Sequence, residues 1–462
     1  MPTMDYLVRF AQMHETFRRP EIHACATLAG VDIEILSYYE FSPYCVVRLP
    51  NEEAMRAIAK RSILIKDVFE LWGQGTNYEE LHADVKQRSQ HRWKDFEHSE
   101  FAFKLEYFGG KRSSSFTSKR EILTSFTYIG FKGPVNLKNA DQQFFVMEEY
   151  IDDVEQFVLK VEPVELPRNI FLARKLCDSG RDTILKYDLK KRDYISTTSM
   201  DAELSLVTAN MALAAPGKLF FDPFVGTGSF IVCASHFGAL SLGADIDGRS
   251  FRGKEAGKLG VYENYKQYEM PSKFVDCFTS DLTNTPLRRP QFLDGIVCDP
   301  PYGIREGLRV LGNRHGKPGV NVIIDGVPAH LRPGFVPPKK PYGFEALQKD
   351  ILNFAVRSLV TDGRLAMWMP TTNDEAVEFP VPMHEDLEVV SVSVQSFNNW
   401  ARRLITYRRL PEGEKSDITL GRSKTDDQGH RADDLNLFRR TFMNRGQALK
   451  AEQENETTQK DS

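Results

Sequence analysis

Between Lys218 and His236 the chain reads as an apolar strand, Lys218-Leu219-Phe220-Phe221, then a tight turn, Asp222-Pro223-Phe224-Val225-Gly226-Thr227-Gly228, then a helical stretch, Ser229 to His236. No other feature constrains the fold as strongly. A Gly-rich turn joining a buried strand to a helix belongs to an α/β sheet with helices on its faces. Apolar strands and helical segments keep alternating from near Asp182 to about Leu410, the pattern of a doubly wound sheet. The turn lets a ligand approach the backbone, and the helix behind it presents free N–H groups. Its pattern, D-P-F-x-G-T-G, begins with an acid and has fewer glycines than a dinucleotide fingerprint. Asp222 suits a cofactor with a cationic, amino-bearing end, and methionine joined to adenosine fits. A βα turn without a ligand is the bland alternative.

Two acidic stretches follow at strand ends. Ala239 to Ala244 is a strand running into Asp245-Ile246-Asp247. An acid about 20 residues after the Gly turn commonly bonds ribose hydroxyls. Asp245 is the first choice, and Asp247 is balanced between ligand and solvated loop. Phe274 to Phe278 leads to Asp281, placed either to accept an adenine amino group or simply to close a turn.

Asp294 to Cys298 is a buried strand that delivers Asp299-Pro300-Pro301-Tyr302 at its carboxyl end. An exocyclic base amine is a poor nucleophile because its lone pair is delocalised into the ring. An acid oxygen and a backbone carbonyl, held side by side, can accept its hydrogens and draw the nitrogen toward tetrahedral geometry. Two prolines stiffen the backbone and remove two N–H donors. Tyr302 can stack on a flat base, worth roughly 1–3 kcal/mol. After Tyr302 a long Gly/Pro-rich segment carries Arg305, Arg309, Arg314, Lys317, Lys339 and Lys340. Phosphate contact is favoured there over a merely solvated loop.

Composition narrows the partners. The net charge of −4 over 462 residues excludes a polycation, so a nucleic acid must be held by local patches or by shape. Six cysteines without a C-x-x-C pair read as buried free thiols, with neither a disulfide framework nor a zinc site of the chain's own. No apolar run is long enough to span a membrane, and the charged N-terminus does not resemble a signal peptide. A cytoplasmic protein is expected.

Residues 1–75 read as strand, helix, strand, strand, helix, strand, a ferredoxin-like order. Residues 76–175 form an aromatic-rich α/β region with strands at Phe101–Leu105 and Phe144–Met147, and Phe126, Tyr128 and Phe131 between them. A basic linker, 176–196, leads to the α/β domain, 197–410. A charged tail, 411–462, reads as mostly disordered, with one short helix conceivable around Leu435, Leu437, Phe438 and Phe442.

The Asp-Pro-Pro-Tyr motif and the turn at Gly226 resemble the amino-methyltransferase class of S-adenosylmethionine enzymes. Thr197 to Ala202, Asp222 to Gly228, Asp299 to Arg305 and Arg402-Arg403-Leu404-Ile405 resemble, more narrowly, the tRNA guanosine-10 N2-methyltransferase catalytic subunits. One departure is Ala401, where members of that family often carry Ser. The resemblance implies a Rossmann-like class I methyltransferase sheet behind a ferredoxin-like and THUMP RNA-binding half. It implies transfer of one methyl group to N2 of a guanine in tRNA, with a small zinc-binding activator subunit as partner. Asp222, Pro223, Phe224, Gly226, Thr227 and Gly228 would line the methionine side of S-adenosylmethionine. Asp245, with Asp247, would hold the ribose and Asp281 the adenine. Asp299 and the Pro300 carbonyl would accept the guanine amino group, and Tyr302 would stack on the base. Thr198, Arg305, Arg402 and Arg403 would contact the substrate.

In a sheet of that kind the strand Phe274 to Phe278 is an edge. It reads as apolar on both faces, and a partner could add a strand there. Two rival classes remain. One is an amino-methyltransferase for adenine N6 or for a protein glutamine. The other is a non-catalytic tRNA-binding module.

Overall fold

The computed structural model describes residues 4–109, 119–150, 166–253, 259–287, 290–303, 308–312, 323–332, 338–371, 379–397 and 400–417. The chain divides into two compact units between Leu185 and Lys186.

The first unit contains β1 (Met4–Phe10), α1 (Glu15–Ala29), β2 (Glu34–Tyr38), β3 (Tyr44–Leu49), α2 (Glu52–Arg61), β4 (Ile65–Gly75), α3 (Tyr78–Ser89), β5 (Phe101–Phe108), β6 (Gln142–Glu149) and β7 (Asn169–Asp178). Its seven strands form one sheet in the order β2-β3-β1-β4-β7-β6-β5. Across β2, β3, β1 and β4 every pairing is antiparallel, which with α1 and α2 is the split βαβ arrangement. Asn51 starts α2 by accepting the Ala54 amide at 2.8 Å, and Asn77 starts α3 by accepting that of Glu80 at 2.9 Å, as short polar caps do. β7 has no counterpart among the strands expected from the sequence. It pairs with β4 on one side and β6 on the other, so a single sheet runs past residue 75.

Phe126, Tyr128 and Phe131 recur because they fill one core with Trp72, Phe103 and Phe144. Phe103 stacks on Phe144 with centroids 5.1 Å apart. Glu21 of α1 ties down the start of β4. Its carboxylate accepts from Ser62 Oγ at 2.6 Å and from the Ile63 and Leu64 amides, each at 2.9 Å. Glu21→Ala strands these buried donors and should lower the unfolding free energy by about 3 kcal/mol. Urea unfolding followed by far-UV circular dichroism checks this. A midpoint equal to wild type would show that the anchor contributes nothing.

The second unit contains α4 (Ala202–Met211), β8 (Leu219–Asp222), α5 (Ser229–His236), β9 (Leu240–Asp245), α6 (Val261–Gln267), β10 (Phe274–Thr279), β11 (Leu293–Cys298), β12 (Arg309–Leu311), β13 (Ile323–Ile324), β14 (Val327–Pro328), β15 (Lys339–Pro341), α7 (Phe344–Ser358), β16 (Leu359–Thr371), β17 (Leu387–Ser396) and β18 (Ala401–Arg409). The main sheet has the order β10-β9-β8-β11-β16-β18-β17. Its first five strands are parallel, and β18 runs antiparallel to both its neighbours. This is the Rossmann-like class I methyltransferase sheet. From β8 the chain steps outward to β9 and β10, then returns to β11 on the other side of β8. The resulting switch point lies between β8 and β11, and open sheets bind ligands at the carboxyl ends there. Phe221, Ile296, Leu365 and Ile405 of four different strands share one core with Ile351 and Leu352 of α7.

β10 is one edge of this sheet and β17 the other, and the two faces of β10 are not alike. Phe278 stacks on Phe221 of the core, whereas Val275 is 51% exposed. Within the long segment after Tyr302, β12 and β15 pair antiparallel, with Val310 opposite Lys340. Arg305, Arg314 and Lys317 lie outside the described residues, as do 418–462, including Leu435, Leu437, Phe438 and Phe442. The beginning of the tail is ordered: the Ser416 amide donates to the Glu385 carbonyl at 2.7 Å, and Lys415 pairs with Glu385 and Asp386. All six cysteines are free; Cys177 and Cys277 are only partly buried. Among the described residues no helix is long and apolar enough to cross a membrane, and no group of three or more His, Cys, Asp or Glu is placed to hold a metal ion.

Candidate active site

The turn after β8 is built around Asp222. This residue ends the strand, is buried, and accepts the Phe224 amide at 2.9 Å through Oδ1. The turn then needs two left-handed residues, Gly226 at φ 48° and Gly228 at φ 81°. A Cβ on Gly228 would also stand 2.7 Å from Val261 Cγ1 of α6. Gly226 donates its amide to Asp245 Oδ2 at 3.1 Å, and Asp245 Oδ1 accepts the Asp247 amide at 2.9 Å. Asp245 thereby ties the glycine turn to the acidic loop after β9. Thr227 is buried, its hydroxyl 2.6 Å from that of Ser199.

Asp299 follows β11, next to β8 in the sheet. Three acids therefore gather at the carboxyl ends of β8, β9 and β11, and all resist ionisation. Burial drives the Asp222 carboxyl far above its ordinary range; the Phe224 amide opposes this, and the charges of Asp245 and Asp299 add to it. Burial likewise raises Asp245 against two backbone hydrogen bonds. Burial raises Asp299, while the Tyr302 hydroxyl and the positive charge of Arg402 pull it back. A cluster of this kind suits a cationic ligand, since unpaired buried charge is costly.

Tyr302 donates its hydroxyl to Asp299 Oδ1 at 2.5 Å, and its ring meets Trp400 edge to face with centroids 6.2 Å apart. Pro300 is buried and Pro301 exposed. Beside them a pocket holds about 400 Å³ of open space, lined by Pro223, Phe224, Ile246, Asp281, Pro301 and Val310, among others. Asp281 borders this pocket with both oxygens engaged. Oδ1 accepts the Thr283 amide and hydroxyl, each at 2.9 Å. Oδ2 accepts the Leu311 amide at 2.6 Å, which fastens the base of the β12–β15 ladder to the pocket. Asp247 turns outward and is gripped by Arg249, whose hydrogen bonds depress its carboxyl to about 2.

The two arginines of β18 part company, as neighbours on a strand must. Arg402 lies over the Trp368 ring at 4.8 Å and the Phe397 ring at 5.5 Å. It donates to Gln395 at 2.6 Å and pairs with Asp201 at 3.7 Å. Arg403 is buried and donates to the Phe379 and Pro380 carbonyls at 2.5 and 2.9 Å, which pins a loop. Thr198 is exposed, in a turn where Ser196 Oγ accepts its amide. Arg305 lies outside the described residues. Spacing did not single out Ser199, Asn264 or Trp400. Asn264, buried in α6, accepts the Tyr194 amide and donates to the Thr227 carbonyl, and nothing in its neighbourhood in sequence signals that. Trp400 had one available signal, an aromatic beside the paired arginines.

A family model described as the Tmrp11 THUMP N-terminal domain matches residues 4–181. Over 410 residues the chain is 43% identical to the tRNA (guanine(10)-N(2))-methyltransferase of Saccharomyces cerevisiae, covering 87% of this chain and 92% of that protein. The chain belongs to the tRNA (guanine(10)-N(2))-methyltransferase family. The Schizosaccharomyces pombe relative is 35% identical, covering 89% of this chain and 91% of its own. The human relative is 33% identical, covering 89% of each. TrmN from Thermus thermophilus is similar at 16% identity and a TM-score of 0.42, covering 88% of this chain and all of that one. The fold of this family member therefore rests on its own strand order. Asp222, Asp245 and Asp299 stand in it around a single switch point.

Proposed function

We propose that the chain methylates N2 of the guanine at position 10 of tRNA, using S-adenosylmethionine. The observation that carries this reading is the placement of Asp299 at the switch point, beside Asp222 and Asp245, in a chain of this family. S-adenosylmethionine supplies an electrophilic methyl group on a sulfonium, and its cationic end matches the raised acid Asp222. Asp222 and the Gly226–Gly228 turn would face the methionine side. Phe224, Ile246 and Pro301 would enclose the adenine, and Asp281 would hold the wall of that pocket.

Asp299 accepts one hydrogen of the guanine amine and the Pro300 carbonyl the other, which localises the nitrogen lone pair toward the methyl group. After transfer Asp299 takes the surplus proton, which an Asn could not. The Tyr302 hydroxyl orients Asp299 while its ring supports the base. A guanine within folded tRNA must leave its stack to reach this place. The larger part of the rate gain comes from aligning amine and methyl group. The two regions 1–75 and 76–175 would bind the tRNA, largely by shape, and the protein would work in the cytoplasm. Mass spectrometry of nucleosides from tRNA incubated with labelled cofactor should find N2-methylguanosine at position 10. Label in adenine N6, or in protein glutamine, would overturn the reading.

A small zinc-binding activator would dock as an added strand on β10. A parallel-sheet edge without a further strand among the described residues supports this, with Val275 exposed and the exposed Tyr262 packed on Phe274 of the same strand. Val275→Asp leaves the core side of β10 intact. It should abolish co-purification of a small partner and lower tRNA methylation at least tenfold. Full activity and an unchanged complex would refute that docking site.

A further inference from the structure

Residues 192–201 wrap the cofactor turn from outside the sheet. The Tyr194 amide donates to Asn264, and its hydroxyl donates to the Ser250 carbonyl at 2.5 Å. Ser199 meets Thr227. At the head of this strap Arg192 is 5% exposed. Its Nη1 donates to Ser229 Oγ at 3.0 Å and its Nε to the Tyr268 hydroxyl at 3.4 Å. The third nitrogen, Nη2, is buried with no hydrogen-bond partner among the described residues.

Ser229 is the first residue of α5, and Gly228 gives that helix no side-chain cap. A buried guanidinium thus stands against the positive end of a helix. Both seek an anion, and neither satisfies the other. Of the two acids of the strap, Asp193 is exposed, and Asp201 is committed elsewhere: one oxygen caps the Leu204 amide and the other pairs with Arg402.

We propose that Arg192 and the N-terminus of α5 seat the carboxylate at the amino-acid end of the cofactor. This rests on the S-adenosylmethionine reading above. That end of the molecule carries an ammonium, a sulfonium and a carboxylate. Asp222 and its neighbours answer the two cations, and Arg192 with the helix end answers the anion. Charge-assisted pairing by a planar guanidinium is directional, so the seat also orients the methionine arm and the methyl group it bears.

Calorimetric titration of the full chain with S-adenosylhomocysteine and with its decarboxylated analogue tests the seat without turnover. Wild type should bind the carboxylate form at least tenfold more tightly. Arg192→Gln should bring that ratio close to one, with affinity for the decarboxylated analogue unchanged. A wild-type ratio near one would overturn the seat, as would equal weakening of both ligands in Arg192→Gln, the mark of a merely structural arginine. If Arg192→Gln does not fold, Arg192→Lys decides by the same ratio, which should fall between those of wild type and one. Wild type that binds neither ligand would sink the cofactor reading itself, and the seat with it.

Discussion

Asp299→Ala should reduce tRNA methylation by about 10³-fold, the scale of losing a hydrogen-bond acceptor together with a proton acceptor. Binding of S-adenosylhomocysteine should change by no more than a few-fold, because Asp299 faces the amine. Asp299→Asn keeps an acceptor oxygen and loses the proton acceptor, so its defect should be smaller. The pH profile separates the two roles. Burial raises the Asp299 carboxyl in the folded chain, and only its ionised form can take a proton. Activity should therefore fall on the acid side at a pH above the ordinary aspartate value of about 3.9. That limb should vanish in Asp299→Asn. A wild-type rate that is flat down to the ordinary value would contradict the role of Asp299 as proton acceptor.

Asp222→Asn should weaken S-adenosylmethionine binding by roughly 30-fold, about 2 kcal/mol for a lost charge-assisted contact. The Phe224 amide at 2.9 Å keeps an oxygen to bond, so the turn should survive. Stability without ligand should move the other way. The Asp222 carboxyl is raised in the folded state by burial, so the folded chain binds its proton more tightly than the unfolded chain. Its contribution to stability is then full below the unfolded value and is lost as pH rises through the folded one. At neutral pH the native residue is a liability that the neutral Asn removes. The ligand-free variant should melt higher than wild type, about 2–4 °C for each kcal/mol relieved. With saturating S-adenosylhomocysteine the order should reverse. Differential scanning calorimetry with and without ligand reads both, and a variant that melts lower in each condition would show Asp222 to be structural.

Much of the fold was legible because its determinants are local. Lys218 to His236 spells strand, turn and helix within one stretch, and α5 begins and ends as expected at Ser229 and His236. Asp222 and Asp299 were legible because each ends an apolar strand. β7 was not, since its residues acquire meaning only between β4 and β6, whose partners are distant in the chain. Arg402 and Arg403 looked equivalent in sequence. Strand alternation sends one toward Trp368 and Asp201 and the other to the Phe379 and Pro380 carbonyls. Asp245 was preferred to Asp247 as the strand-end acid, but their partners, the Gly226 amide for the first and Arg249 for the second, were not legible.

By itself the sequence marked the candidate site: an Asp-Pro-Pro-Tyr motif at a strand end and a glycine turn headed by an acid, within an alternation of strands and helices. These follow from backbone preference and apolar periodicity, which act over a few residues. Only the tertiary structure decided which distant side chains meet around that site. Arg192 meets Ser229, Ser199 meets Thr227, and Asp281 meets Leu311 across 37, 28 and 30 residues. Such contacts depend on burial and on direction in space, and these exist only once the sheet has closed.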